Sequence, residues 1–157
     1  MKPTTGVDGT DLAILHELQE DARAPNARIA RKLGLATSTV FERIRKLEQR
    51  GVIQGFEVRV DPRSVGMAVT AFVSIAATEV ALEDDVETAL LEMPDVLEIH
   101  KIAGEDAFLV KMRAPDNETL AIRLREGVEG AAVRSIRTTI VLATARERIA
   151  LDLTHLE

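Results

Sequence analysis

Between residues 28 and 46 the chain gathers side chains suited to gripping a nucleic-acid backbone. Arg28, Arg31, Lys32, Arg43, Arg45 and Lys46 are cationic donors, and Thr37, Ser38 and Thr39 supply three consecutive hydroxyls. Cations neutralise phosphates, and long polar donors reach phosphate oxygens and base edges. Residues 23–50 hold eight Lys and Arg against two acidic residues, a local charge of +6 on a chain of net charge −6. Residues 1–60 hold ten basic and eight acidic residues, whereas residues 61–157 hold ten and eighteen. A cationic footprint on an otherwise acidic chain points to double-stranded DNA contacted by one domain, with affinity that falls steeply with salt.

Two short helices must position these groups. Ile29, Ala30 and Leu33 face inward on the first. Val40, Ile44 and Leu47 recur at spacings of four and three on the second, and Gly34 supplies the turn between them. Two amphipathic helices joined this tightly predict a helix-turn-helix. Opposite the core, the second helix presents Ser38, Thr39, Glu42, Arg45, Lys46 and Gln49, with Arg43 on the flank. A solvated face would use the same residue types. The turn and the preceding helix favour a recognition helix, with Thr37, Ser38, Thr39, Arg43 and Lys46 nearest base edges.

Upstream, residues 1–7 read as a fraying terminus. Asp8 caps a helix that has Asp11 in its first turn and runs to about Asp21, burying Ile14, Leu15, Leu18 and Ala22. Pro25 opens the next helix. Gly51 stops the recognition helix, Val52, Ile53 and Phe56 begin an extended segment through Val60, and residues 61–66 form a hinge. The expected organisation is a DNA-binding domain over residues 1–60, the hinge, and a second domain over residues 67–157.

In that second domain the period becomes strand-like. Strands are expected over residues 68–77, 96–102, 107–113 and 133–144, with helices over 83–93 and 118–128. The first helix carries Val86, Ala89, Leu90 and Met93 inward. The second carries Ile122, Leu124 and Val128, with Leu120 facing out. The order βαββαβ predicts a four-stranded antiparallel sheet with both helices on one face, a ferredoxin-like arrangement. The fold class is therefore α+β, a winged-type helix-turn-helix followed by that sheet domain. Val69, Ala71, Val73 and Ile75 alternate with Phe72 and Ala76, and Ile136, Ile140 and Leu142 with Val133 and Val141. An apolar second sheet face would need a partner, so a homodimer assembling to a tetramer or octamer is expected.

Several chemistries are excluded or disfavoured. Cys, Trp and Tyr are absent and there are four Phe, so there is no thiolate chemistry and little aromatic stacking of bases. His16, His100 and His155 lack ligand spacing, so no metal site is expected. The acidic run Glu83, Asp84, Asp85 and Glu87 suits a helix N-terminus better than a divalent ion. Neither a phosphate-binding Gly loop nor a nucleophile elbow occurs, and no nucleophile, base and oxyanion set assembles, so neither an enzyme nor a resident cofactor is predicted. No membrane span or signal peptide is legible, which makes a cytoplasmic protein the default.

Both halves resemble a known family. Asp8-x-x-Asp11-x-x-Ile14-Leu15-x-x-Leu18-Gln19-x-Asp21-Ala22-Arg23 is similar to the opening of the leucine-responsive/asparagine (Lrp/AsnC, or feast/famine) regulators. So are Gly34-Leu35 and Val40-x-x-Arg43-Ile44-x-x-Leu47-Glu48-x-x-Gly51-Val52-Ile53-x-Gly55-Phe56. The βαββαβ half resembles that family's effector-binding and oligomerisation domain, and the likeness spans about residues 8–145. It implies a transcriptional regulator whose assembly and DNA affinity respond to an amino acid held between sheet domains of neighbouring dimers. The matching positions are Gly104, Glu105, Asp106, Ala107 and Phe108, with Thr138, Thr139 and Ile140 on the last strand. Backbone N–H groups at the Gly turn suit a carboxylate, and Glu105 or Asp106 suits an ammonium; alternatively Gly104 only permits a tight hairpin and the acids are solvated. Ala36 stands where the family has a capping Ser, leaving Thr37 or Thr39 to cap. Ala107 stands where Asp is common, and Ala103 where Thr or Ser often precedes the Gly. The competing function is an amino-acid-binding oligomeric module with no gene-regulatory role.

Overall fold

The structure, a computed structural model, describes residues 6–79, 82–148 and 150–153. His155 and residues 1–5 lie outside it. The chain divides into two compact units. Of the described residues, 6–58 with 146–148 and 150–153 form a head, and 59–79 with 82–145 form a sheet unit. The C-terminal stretch thus groups with the head, whereas the sequence pattern places it with the sheet.

The head contains α1 (Gly9–Glu20), α2 (Asn26–Leu33) and α3 (Thr37–Gln49). Asp8 caps α1 in a reciprocal box: its carboxylate accepts from the Asp11 N–H at 2.8 Å, and the Asp11 carboxylate accepts from the Asp8 N–H at 3.2 Å. Gly34, at φ +68°, ends α2 in the left-handed conformation that a side chain disfavours, and its N–H bonds the Ala30 carbonyl. Ile14, Leu18, Ala24, Ile29, Ala30 and Val40 form one core, joined by half-buried Leu33, Leu35, Ile44 and Ile53; Leu47 is buried as well. Ala22 is exposed and Ala24 takes the inward place, because α1 stops at Glu20 and the chain leaves the helical phase.

The expected extended segment after Gly51 makes no ladder. Among the described residues the head holds no strand. Phe56, Val58 and Val60 are exposed there at alternate positions.

The sheet unit follows the order β1 (Val69–Ala77), α4 (Glu83–Leu91), β2 (Val96–Lys101), β3 (Phe108–Ala114), α5 (Asn117–Gly127) and β4 (Val133–Ile140), after a single 3₁₀ turn at Arg63–Val65. All pairings are antiparallel, in the order β2-β3-β1-β4. Ala71, Val73, Ile75, Phe108, Val110, Met112 and Ala114 face the helices and pack on Val86, Leu90, Met93, Leu120, Leu124 and Val128. Leu120, Leu124 and Val128 recur every four residues, which puts Leu120 inside and turns Ile122 outward, the reverse of expectation.

The opposite sheet face also differs from expectation. By register, Phe72, Ser74, Leu109, Lys111, Glu98, His100, Thr139 and Arg137 share it. It is mixed and charged, with Lys111 bonded to Glu98 at 2.9 Å. That hydrogen bond is the first cause holding the Glu98 carboxyl below the usual range. The exposed apolar groups of β4, Ile136 and Ile140, lie instead on the helix side, because β4 is an edge strand.

Candidate nucleic-acid interface and effector site

Helix α3 begins uncapped. Ala36 is the N-cap residue of α3 and offers no side-chain acceptor, and neither Thr37 nor Thr39 takes its place. The first N–H groups of α3, together with the exposed Thr37, Ser38 and Thr39 hydroxyls, are therefore directed away from the helix body. Such a terminus favours an anion through its donors and its dipole.

The six head cations fall into distinct settings. Arg28 is ion-paired with Asp21, and Lys32 with Glu17 at 2.5 Å, so both are tied to α1. The Arg28 bond is the leading reason the Asp21 carboxyl lies below the usual carboxylate range. Arg45 has only a loose pair with Glu42 at 3.9 Å, one turn away on the same helix. Arg31 and Lys46 are exposed and make no ion pair or hydrogen bond among the described residues. The Arg43 guanidinium is paired with both Asp8 and Asp11, at 2.7 Å from each. The sequence pattern puts it on the flank of α3 but carries no sign of acids lying more than 30 residues away. Lys46 and Arg43 line one concavity with Ser38, Thr39, Glu42 and Arg50.

In the sheet unit, the connection from β2 to β3 is a turn closed by the Ile102 N–H on the Ala107 carbonyl at 2.9 Å. The Ala107 N–H bonds Ile75 of β1. Gly104 and Glu105 are exposed. Asp106, whose side chain is 14% exposed, pairs with Arg137 of β4 at 3.3 Å, and Arg134 donates to the Glu105 carbonyl at 3.3 Å. Arg134 and Arg137 carry no signal in the sequence, since no local spacing links them to a loop about 30 residues earlier. Phe108 does not belong to this surface. It is fully buried among Val73, Val110 and Leu90, because its strand phase is that of Val110 and Met112.

Thr138, Thr139 and Ile140 are exposed on β4 opposite Val73, Phe72 and Ala71. They lie two strands across from the loop and down the sheet, roughly 10–15 Å from it at strand spacings of about 5 Å and rises of about 3.3 Å per residue. Arg137 reaches the loop from β4, and Thr138, Thr139 and Ile140 continue the strand beyond it. Among the described residues no group of acids and histidines could hold a metal, and no helix is long and apolar enough to cross a membrane.

The model of the AsnC-type helix-turn-helix domain matches residues 7–48, and that of the Lrp/AsnC ligand binding domain matches residues 70–151. The HTH-type transcriptional regulator LrpA of Mycobacterium tuberculosis is 34% identical over 138 residues, covering 88% of this chain and 91% of its own. The regulator FL11 of Pyrococcus horikoshii is 34% identical over 152 residues, covering 94% and 97%. Among solved structures, a feast or famine regulatory protein from M. tuberculosis complexed with L-methionine superposes with a TM-score of 0.87. It is 32% identical, covering 93% of this chain and 99% of that one. The chain belongs to the Lrp/AsnC family of helix-turn-helix transcriptional regulators.

Proposed function

We propose that the head docks α3 in the major groove of an operator, and that a small amino acid bound at the sheet unit alters that docking through assembly. The observation that carries the reading is the outward face of α3: an uncapped N-terminus, three exposed hydroxyls and the uncommitted Lys46 on one helix. Lys46 and Arg31 contact phosphates, Ser38 and Thr39 lie nearest base edges, and Arg28, Lys32 and Arg45 add field at the rim.

On the sheet unit the exposed Glu105 carboxylate meets the ligand ammonium. Arg137 and the turn's N–H groups meet its carboxylate, which displaces the Asp106 pair. Thr138–Ile140 continue β4 beyond the Arg137 that meets the turn, and a second chain completes the pocket. The M. tuberculosis relative complexed with L-methionine supports an amino acid as the ligand class.

A homodimer supplies two heads for two half-sites. Its support is the exposure of Phe56, Val58 and Val60 at alternate positions of a segment that belongs to no strand among the described residues. Tetramers or octamers of such dimers bring the ligand pockets together.

The test is thermal unfolding and DNA binding across the twenty amino acids. An effector at about 100 times its Kd stabilises by about 2.7 kcal/mol, so it raises the melting temperature and shifts operator affinity together. Unchanged melting, size and DNA affinity for all twenty would defeat the effector reading, while DNA binding alone would keep the head's role.

A further inference from the structure

Arg43 sits three residues from Lys46 on the DNA-facing helix, yet it is committed elsewhere. One guanidinium nitrogen, Nη1, bonds Asp8 Oδ2 and Asp11 Oδ1, each at 2.7 Å. The Asp11 side chain is 9% exposed and that of Arg43 is 31%. The same two carboxylates form the cap of α1, so each acid holds a helix N–H and the arginine of α3 at once. Drawing Nη1 to a phosphate would take it from Asp11, whose side chain is nearly buried, and stripping a buried acid of its partner is strongly unfavourable. Two adjacent carboxylates also offset its field toward DNA.

Apolar packing by Val40 and Leu47 holds α3 against the head, but hydrophobic contact is non-directional and leaves rotation about the helix axis weakly fixed. Charge-assisted hydrogen bonds add direction. We propose that Arg43 is a positioning residue for DNA recognition. Clamped by Asp8 and Asp11, it sets the rotation of α3 so that Ser38, Thr39 and Lys46 face the groove, and it makes no DNA contact itself. The same acids hold the Arg43 guanidinium more firmly protonated and the Asp8 carboxyl below its usual range, in each case chiefly through their shared hydrogen bond. The inference rests on the DNA-docking reading of the head.

The experiment compares wild type with R43Q, R43K, D11N, K46Q and the R43Q/D11N double variant. Each is titrated by fluorescence anisotropy against a labelled duplex enriched from a random pool by the wild-type chain, at several salt concentrations. Asn at position 11 keeps an acceptor for the Asp8 N–H, so the cap survives while the charge is lost. Lys at position 43 keeps a charge for a phosphate, but its ammonium ends one bond short of the place where Nη1 meets both acids.

The expected result is that R43Q, R43K and D11N each weaken binding about tenfold with an unchanged salt slope, and that the double variant is no worse than either single, as for one shared network. K46Q alone flattens the slope, by about 0.9 for each phosphate it no longer neutralises. Near-wild-type binding by R43K with D11N silent, or a slope lowered by R43Q as it is by K46Q, would overturn the proposal. Circular dichroism melts verify folding at the assay temperature. Should R43Q not fold, R43K and D11N decide the matter alone. Wild-type binding insensitive to both salt and sequence would overturn the DNA reading itself, separately from any ranking of variants.

Discussion

The salt dependence of DNA binding should be carried by few cations, and the ion pairs of the head identify them. Of six candidates, Arg28, Lys32 and Arg43 are already matched to carboxylates of α1 and its cap, whereas Arg31 and Lys46 are not. Each neutralised phosphate adds about 0.9 to the slope of log affinity against log salt. In the proposed dimer, with both heads on one duplex, Lys46→Gln leaves two phosphates without their cation and flattens the slope by about 1.8. Between 50 and 200 mM salt, wild type should then lose about twelvefold more affinity than the variant. Arg31→Gln should behave alike. Arg28→Gln and Lys32→Gln should change the slope by well under half as much, because either side chain must first leave Asp21 or Glu17 to reach a phosphate. Anisotropy titrations of each variant at four salt concentrations give the slopes directly. Equal slope changes for Arg28→Gln and Lys46→Gln, or none for Lys46→Gln, would refute the reasoning from intramolecular pairing.

Three further outcomes follow from other parts of the molecule. Phe108→Ala removes a fully buried ring from the sheet core and should cost about 3–5 kcal/mol in urea unfolding, with amino-acid binding lost only in step with folding; Phe108→Leu should retain both. Ala36→Ser supplies the acceptor that α3 lacks and should stabilise by about 1 kcal/mol in the same assay, while weakening DNA binding if phosphate uses those N–H groups. The Asp8 carboxyl lies below its ordinary range, so the stability it contributes is present above that range and lost as pH falls through its lowered value. Helix content followed by circular dichroism below about pH 4 should therefore melt earlier in wild type than at neutral pH, and Asp8→Asn should reduce that shift.

Local periodicity made the architecture legible. The spacing of Val40, Ile44 and Leu47 and the glycine at position 34 marked the head, and the change to alternating Val, Ala and Ile marked β1. Local spacing is silent where a distant partner or an edge decides. Phe108 shares strand phase with Val110 and Met112, a signal present in the sequence, but the family loop motif drew it toward the ligand surface. The charged outer sheet face was also readable, since Lys111 and Arg113 alternate with Val110 and Met112. The patterns of β1 and β4 taken alone suggest an apolar face. Arg43, Arg134 and Arg137 could not be placed from spacing, because their carboxylate or carbonyl partners lie about 30 residues away and only the folded backbone brings them together.

The pairing of head cations also explains how a chain of net charge −6 suits DNA recognition. At physiological salt, charges further than about 8 Å from a phosphate are largely screened, so the acidic excess of residues 61–157 opposes docking only where it comes that close. What governs encounter is the head's own field, and there Asp8, Asp11, Glu17 and Asp21 of the first helical segment offset much of the +6 carried by residues 23–50. A head so balanced has few phosphates to neutralise and correspondingly weak non-specific affinity, since that affinity is almost wholly counterion release. In the proposed docking, discrimination comes from the few uncommitted groups on α3, with the Asp8–Asp11–Arg43 clamp setting their aim. Effector-driven changes in the spacing of two such heads would act on a binding energy small enough for a metabolite to tip, because coupling energies of this kind are typically about 1–3 kcal/mol.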